Sequence, residues 1–183
     1  MVATERGANM PGPVLKLEGP ALPELLPEAQ LIIKRFVQSG SRVLEFGSGH
    51  STVWFAEMGC VVTSIEHDQD WFLAVQGWLA ERDLKANVML QSPGTFATAA
   101  FSLDDVFDLV FIDGYSKYRM DCLMASKDKI RSGGLIVLDD SHWKSLKKAP
   151  TYLEGWEPTN ISGVHRRHTG ELKQTSTSIY RKP

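Results

Sequence analysis

What most constrains the fold of this chain is an alternation. Strand-like apolar runs over residues 42–46, 60–66, 87–91, 107–113 and 134–140 take turns with helical spacing over 51–58, 69–82 and 118–130. A shorter helical piece falls at 95–100. Strands joined by crossovers of this length call for a parallel sheet covered on both faces. The runs Val110-Phe111-Ile112 and Leu135-Ile136-Val137-Leu138 are apolar throughout, as central strands should be. Upstream, Pro23 and Glu24 suit a helix start, and Leu25, Leu26, Ala29, Ile32, Ile33, Phe36 and Val37 recur at helical intervals until Gly40. The end of the chain changes style. Residues 160–168 and 174–181 are strand-like around a turn at Thr169-Gly170-Glu171, so the α/β pattern closes with an antiparallel hairpin.

With 183 residues, one domain over 23–183 is expected, preceded by a loose arm over 1–22 that holds Pro11, Pro13 and Pro20 among glycines. A net charge of −2 with 23% charged residues points to neither nucleic acid nor membrane as a partner. Charge is uneven, with 11 Lys+Arg against 6 Asp+Glu after residue 126, which reads first as a solvated surface. Lys144, Lys147, Lys148, Arg166 and Arg167 lack the interleaved aromatics of a nucleic-acid stripe. Cys60 and Cys122 fit no metal or redox spacing and read as reduced, near-core residues. No apolar run approaches the ~18–20 residues of a membrane span. The first dozen residues lack a signal pattern, and the expected location is the cytoplasm.

Four strand-like runs end in carboxylates: Glu45, Glu66, Asp113 and the Asp139-Asp140 pair. In an open parallel sheet that edge is where ligands bind. The first run ends in a Gly-x-Gly turn, Gly47-Ser48-Gly49, which leads into a helical pattern. Glu66 lies 19 residues after Gly47, where a carboxylate can accept both hydrogen bonds of a ribose diol. The dinucleotide fingerprint wants a third glycine where this chain has Thr52, and it has no use for an acid at Glu45. Glu45 suits the ammonium of a methionine moiety better than a pyrophosphate, which favours S-adenosylmethionine (SAM) over NAD.

The segments Leu44-Glu45-Phe46-Gly47-Ser48-Gly49-His50-Ser51-Thr52, Ser64-Ile65-Glu66-His67-Asp68, Phe107-Asp108-Leu109-Val110-Phe111-Ile112-Asp113-Gly114 and Gly133-Gly134-Leu135-Ile136-Val137-Leu138-Asp139-Asp140 together resemble class I methyltransferases. Within that class they most resemble the catechol and caffeoyl-CoA O-methyltransferase-like branch, over about residues 24–140 and the closing hairpin. The resemblance implies a Rossmann-like seven-stranded sheet, mostly parallel with a C-terminal antiparallel hairpin and helices on both faces. It also implies a SAM site. Glu45, Gly47, Ser48, Gly49 and Ser51 would line the methionine half, and Glu66 would take the ribose. His67, Ser92 and Tyr115 would surround the adenine, with Asp113 closing the site. His50 either contacts the methionine carboxylate or points to solvent.

Methyl transfer from a sulfonium mainly requires alignment of an acceptor and removal of its proton. In the resembled branch a divalent cation does both, and the matching positions are Asp113, Asp139 and Asp140, oxygen ligands suited to Mg²⁺ or a similar ion. The third position is usually Asn in that branch. Asp140 therefore leaves two readings open: a metal held by three carboxylates, or a metal-free site in which a crowded carboxylate acts as base. The branch's lysine position is Ser116 here, so Lys117 and His142 are the other candidate bases, and Trp143 a candidate wall for an aromatic substrate. An Asn/Asp-Pro-Pro-aromatic motif for nitrogen methylation is absent after the fourth strand. The expected acceptor is an oxygen of a small molecule, and homodimerisation is common in the branch. The alternative is a methyltransferase-like protein that binds SAM or S-adenosylhomocysteine (SAH) without turnover.

Overall fold

In the computed structural model, which describes residues 21–167 and 169–183, seven strands form one sheet in the order β3-β2-β1-β4-β5-β7-β6. They are β1 (Arg42–Phe46), β2 (Val61–Glu66), β3 (Asn87–Leu90), β4 (Phe107–Ile112), β5 (Ile130–Leu138), β6 (Glu157–Arg166) and β7 (Leu172–Arg181). The first five pair in parallel, while β7 runs antiparallel to both β5 and β6. The expected mostly parallel sheet with a closing hairpin is therefore the observed one. The last strand, β7, is inserted between β5 and β6.

Strand periodicity sorts the core into two layers. On β4, Leu109 and Phe111 face α1 (Pro27–Phe36), α2 (His50–Glu57) and α3 (Gln69–Glu81), packing with Ile33, Val53, Phe55 and Trp78. Val110 and Ile112 face the other way, toward Phe96, α4 (Arg119–Ser126), Leu146 and Trp156. Both layers are dry at their centres, with Val43, Leu44, Phe55, Val110 and Ile112 showing no exposed surface. Cys60 and Cys122 are free thiols within these layers, as expected.

Element boundaries differ from expectation where two signals compete. The first helix starts at Pro27, not at Pro23, because the Pro-Glu start signature is repeated four residues on in Pro27-Glu28. Residues 23–25 form a tight turn, with the Leu25 amide donating to the Pro23 carbonyl. The fourth helix ends at Ser126 rather than 130, followed by a 3-10 turn over Lys127–Lys129. Ile130 belongs instead to β5, whose pairing with β4 skips register between Phe107 and Leu109 to absorb Arg131–Gly133. β6 starts at Glu157 rather than 160. The short helical piece lies at Thr98–Ser102. α5 (Ala149–Tyr152) completes the segment before the hairpin. The expected arm falls mostly on residues 1–20, outside the described residues. Ala21, at its end, is fully buried in the helix-side core. Among the described residues no helix is long and apolar enough to cross a membrane.

Candidate active site

Strand order reverses between β1 and β4, and the candidate residues collect at the carboxyl ends of these strands and their neighbours. The turn after β1 is forced to be small. Gly47 has φ 92°, and a Cβ placed on it would stand 2.5 Å from the Gly114 Cα, at the end of β4. Two glycines thus let the β1 and β4 loops touch. Gly49 is different: its backbone is extended, and an added Cβ would meet no protein atom within 4 Å. Its amide donates to the Thr52 hydroxyl at the start of α2.

Glu45 lies beneath this turn with no exposed surface. Ser51 and Thr52 from α2 and Ser64 from β2 each donate a hydroxyl to its carboxylate, at 2.5, 2.5 and 2.6 Å. Burial pushes its pKa up to about 7 against the pull of these three hydroxyls. The acid therefore pins α2 and β2 to β1. Glu66, also buried, bridges the turn and the loop after β2. One oxygen accepts from the Ser48 amide at 2.7 Å and the Ser48 hydroxyl at 3.0 Å. The other accepts from the His67 and Asp68 amides at 2.7 and 2.8 Å. His67 Nδ1 is 2.9 Å from the same oxygen, a contact that raises the histidine's pKa.

A row of rings borders this loop. His67 stacks on Tyr115 with centroids 5.1 Å apart and meets Phe96 at 5.2 Å, while Tyr115 adjoins Tyr118 at 5.5 Å. His67 and Tyr115 are thus brought together. Ser92 is not part of the row; it is exposed and bonds to Thr95 in its own turn. His50 rests on the Trp78 ring, at 5.0 Å.

Asp113, Asp139 and Asp140 form a second group, reached by α4 from below and the hairpin from the side. Arg119, nearly fully buried at the start of α4, is its centre. Its Nε donates to the Gly114 carbonyl at 2.9 Å, and one terminal nitrogen to the Asp139 carbonyl at 2.5 Å. The other donates to both the carbonyl and the carboxylate of Asp113 at 2.9 Å. Asp140, at a left-handed φ of 48°, accepts from Lys173 at 2.7 Å on one oxygen and from Thr175 at 3.0 Å on the other. Thr177 donates to Asp139 at 3.0 Å.

Burial holds the Asp139 carboxyl well above the usual carboxylate range, reinforced by Asp113 and Asp140 and opposed by Arg119. Asp113 is raised for the same first reason, with Arg119 opposing and Asp140 adding repulsion. Asp113 is partly exposed, so its carboxyl can exchange a proton with a hydroxyl placed against it.

The other two candidate bases meet other partners. Lys117 is exposed and lies over the Tyr118 ring at 5.4 Å. His142 is exposed and sits 3.1 Å from the Ser176 hydroxyl, edge-on to Trp143. Arg119, Lys173, Thr175 and Thr177 went unread in the sequence. Arg119 shows there as an ordinary helix-surface cation, and the other three belong to a strand whose neighbour could not be deduced. An arginine six residues past a strand-end aspartate was the one available signal.

The family profile described as "Methyltransferase domain" matches residues 44–141, from the middle of β1 to just past Asp140. The O-methyltransferase TomG from Streptomyces achromogenes, solved with SAM, is similar at a TM-score of 0.69 and 16% identity, covering 87% of this chain and 82% of that one. An O-methyltransferase from Bacillus cereus, solved with SAH, gives 0.69 and 16%, covering 86% and 82%. TehB from Haemophilus influenzae gives 0.66 and 14%, covering 86% of this chain but only 63% of TehB. No curated protein matches the chain significantly.

Proposed function

Because this chain belongs to the methyltransferase domain family, with its class I fold, we propose that it transfers the methyl group of SAM to an oxygen of a small-molecule acceptor. The observation that carries the reading is Gly49. Nothing in the protein itself requires glycine there, since the backbone is extended and the space beyond it is free of protein atoms. The close approach of a ligand to the turn does require it. Gly47, Ser48 and Ser51 then border the methionine part of SAM, with Glu45 acting beneath them as the post that fixes Ser51. Glu66 is reached by a ribose diol in exchange for its bond to the Ser48 hydroxyl. The ring row of Phe96, His67 and Tyr115 offers flat faces for adenine.

When bound, SAM supplies a carbon whose bond to a positive sulfur breaks as the acceptor oxygen bonds to it, the electron pair leaving with sulfur. The residues of this chain have the remaining tasks. Asp113, partly exposed at the end of β4, takes the acceptor's proton, and its raised proton affinity suits it to act as the base. Trp143, half-buried beside Arg119, walls the acceptor space.

Thermal unfolding with SAM, SAH and NAD tests the cofactor. Stabilisation by the first two and none by NAD is expected; the reverse would sink the reading. For the chemistry, Asp113→Asn should lower turnover on an acceptor panel by about a hundredfold or more. SAH affinity should stay within about threefold, since the substituted group faces the acceptor rather than the turn. A loss of SAH binding equal to the loss of turnover would make Asp113 a cofactor contact instead of the base.

A further inference from the structure

The resembled branch places a divalent cation where this chain has Asp113, Asp139 and Asp140. The donor set does not fit that ion. A hard cation needs several free carboxylate or carbonyl lone pairs converging on one point. Here both oxygens of Asp140 are taken by Lys173 and Thr175, one oxygen of Asp139 by Thr177, and one of Asp113 by Arg119. The Asp113 and Asp139 carbonyls that an ion could recruit already accept from the same guanidinium. Among the described residues, no three His, Cys, Asp or Glu side chains are arranged to hold a metal.

Charge supports the same conclusion. Three carboxylates already face two cations of the chain's own, Arg119 against Asp113 and Asp140 and Lys173 against Asp140. Arg119 lies 2.9 Å from Asp113 and 3.9 Å from Asp140, so an entering dication would be repelled by a fixed guanidinium with no room to retreat. Both cations are also held from above. The Arg119 guanidinium carbon is 4.7 Å, and the Lys173 ammonium 5.4 Å, from the centre of the Trp143 ring. A planar guanidinium can bind several oxygens at once, so it can replace much of what a metal would do for these strand ends.

We infer that Arg119 and Lys173 are the built-in cations of this cluster, and that the domain holds its reaction edge together without a divalent metal. This goes beyond the proposed reaction and does not depend on it, since it concerns the resting protein. Thermal unfolding and Mn²⁺ binding followed by electron paramagnetic resonance test it on the full chain. The wild type should show no change of melting temperature with Mg²⁺, Mn²⁺ or chelator, and no bound Mn²⁺ signal.

Lys173→Met, a change at a partly exposed side chain, frees one oxygen of Asp140 and removes a positive charge. It should gain Mn²⁺ affinity by about tenfold or more, and Lys173→Met with Asp140→Asn should lose that gain. Stabilisation of the wild type by metal, abolished by Asp140→Asn, would overturn the inference. So would a Lys173→Met protein that binds Mn²⁺ no better than the wild type. The SAM arm of the same melting experiment reads the proposed function separately.

Discussion

The two glycines of the β1 turn look alike in the sequence and differ in the fold. Gly47 is left-handed and abuts Gly114, so Gly47→Ala introduces both strain and a clash, and should lower stability by about 2 kcal/mol or more in chemical denaturation. Gly49→Ala should melt within a degree or so of the wild type yet bind SAH at least about tenfold more weakly, as calorimetry would show. Equal SAH affinity in the Gly49→Ala protein would remove the ligand from that face of the turn. Glu45 yields a pH prediction. Its folded pKa of about 7 stands above the ordinary glutamate value of 4.5, so the fold is favoured while Glu45 is protonated in both states. That contribution is whole below about pH 4.5 and is lost as pH rises through 7, a swing of roughly 3 kcal/mol. Glu45→Gln keeps the neutral form at every pH. Its stability relative to wild type should therefore improve steadily between about pH 5 and pH 8, measured by urea unfolding at each pH.

Among elements, Arg119 is the piece that joins most. From the first turn of α4 it ties the end of β4, through Asp113 and Gly114, to the end of β5, through Asp139. Arg119→Ala removes one partner of a buried ion cluster and should cost about 3–5 kcal/mol, with Arg119→Lys recovering only part because one ammonium cannot span four acceptors. Differential scanning calorimetry of the two variants would show the ranking. This element also marks the limit of what the sequence reveals. The helices and parallel strands were legible because their periodicities are local: Leu109 and Phe111 against Val110 and Ile112 already state which face is which. The glycine turn and strand-end acids were legible because composition at strand ends is limited. The partners of those acids were not. Lys173 meets Asp140 across 33 positions and Thr177 meets Asp139 across 38, and no single-chain pattern encodes which strand β7 will lie against. Glu45 was legible as special but not as buried, because its three hydroxyl partners come from two other elements.

At the scale of the whole molecule, the raised carboxyls of Glu45, Asp113 and Asp139 and the raised imidazole of His67 act in the same direction. Each lends stability that is present at acid pH and lost as pH rises through its folded value. Asp108, lowered despite burial by its bonds to Arg131 and Arg42, opposes them only at pH below the ordinary aspartate range. The melting temperature should thus be highest near about pH 5 and decline toward pH 8, and a flat profile across that span would contradict the burial described for these groups. The position of β7 carries a further consequence, for synthesis. During translation the acids at the ends of β4 and β5 emerge before the strand that brings Lys173, Thr175 and Thr177 to them. A nascent chain halted after β6 therefore holds the parallel strands and Arg119, but not Lys173 or the hydroxyls of Thr175 and Thr177. On the ribosome the ten-residue β7 both joins β6 to the sheet and brings the cluster its second cation, so pairing of the hairpin and completion of the cluster are one event.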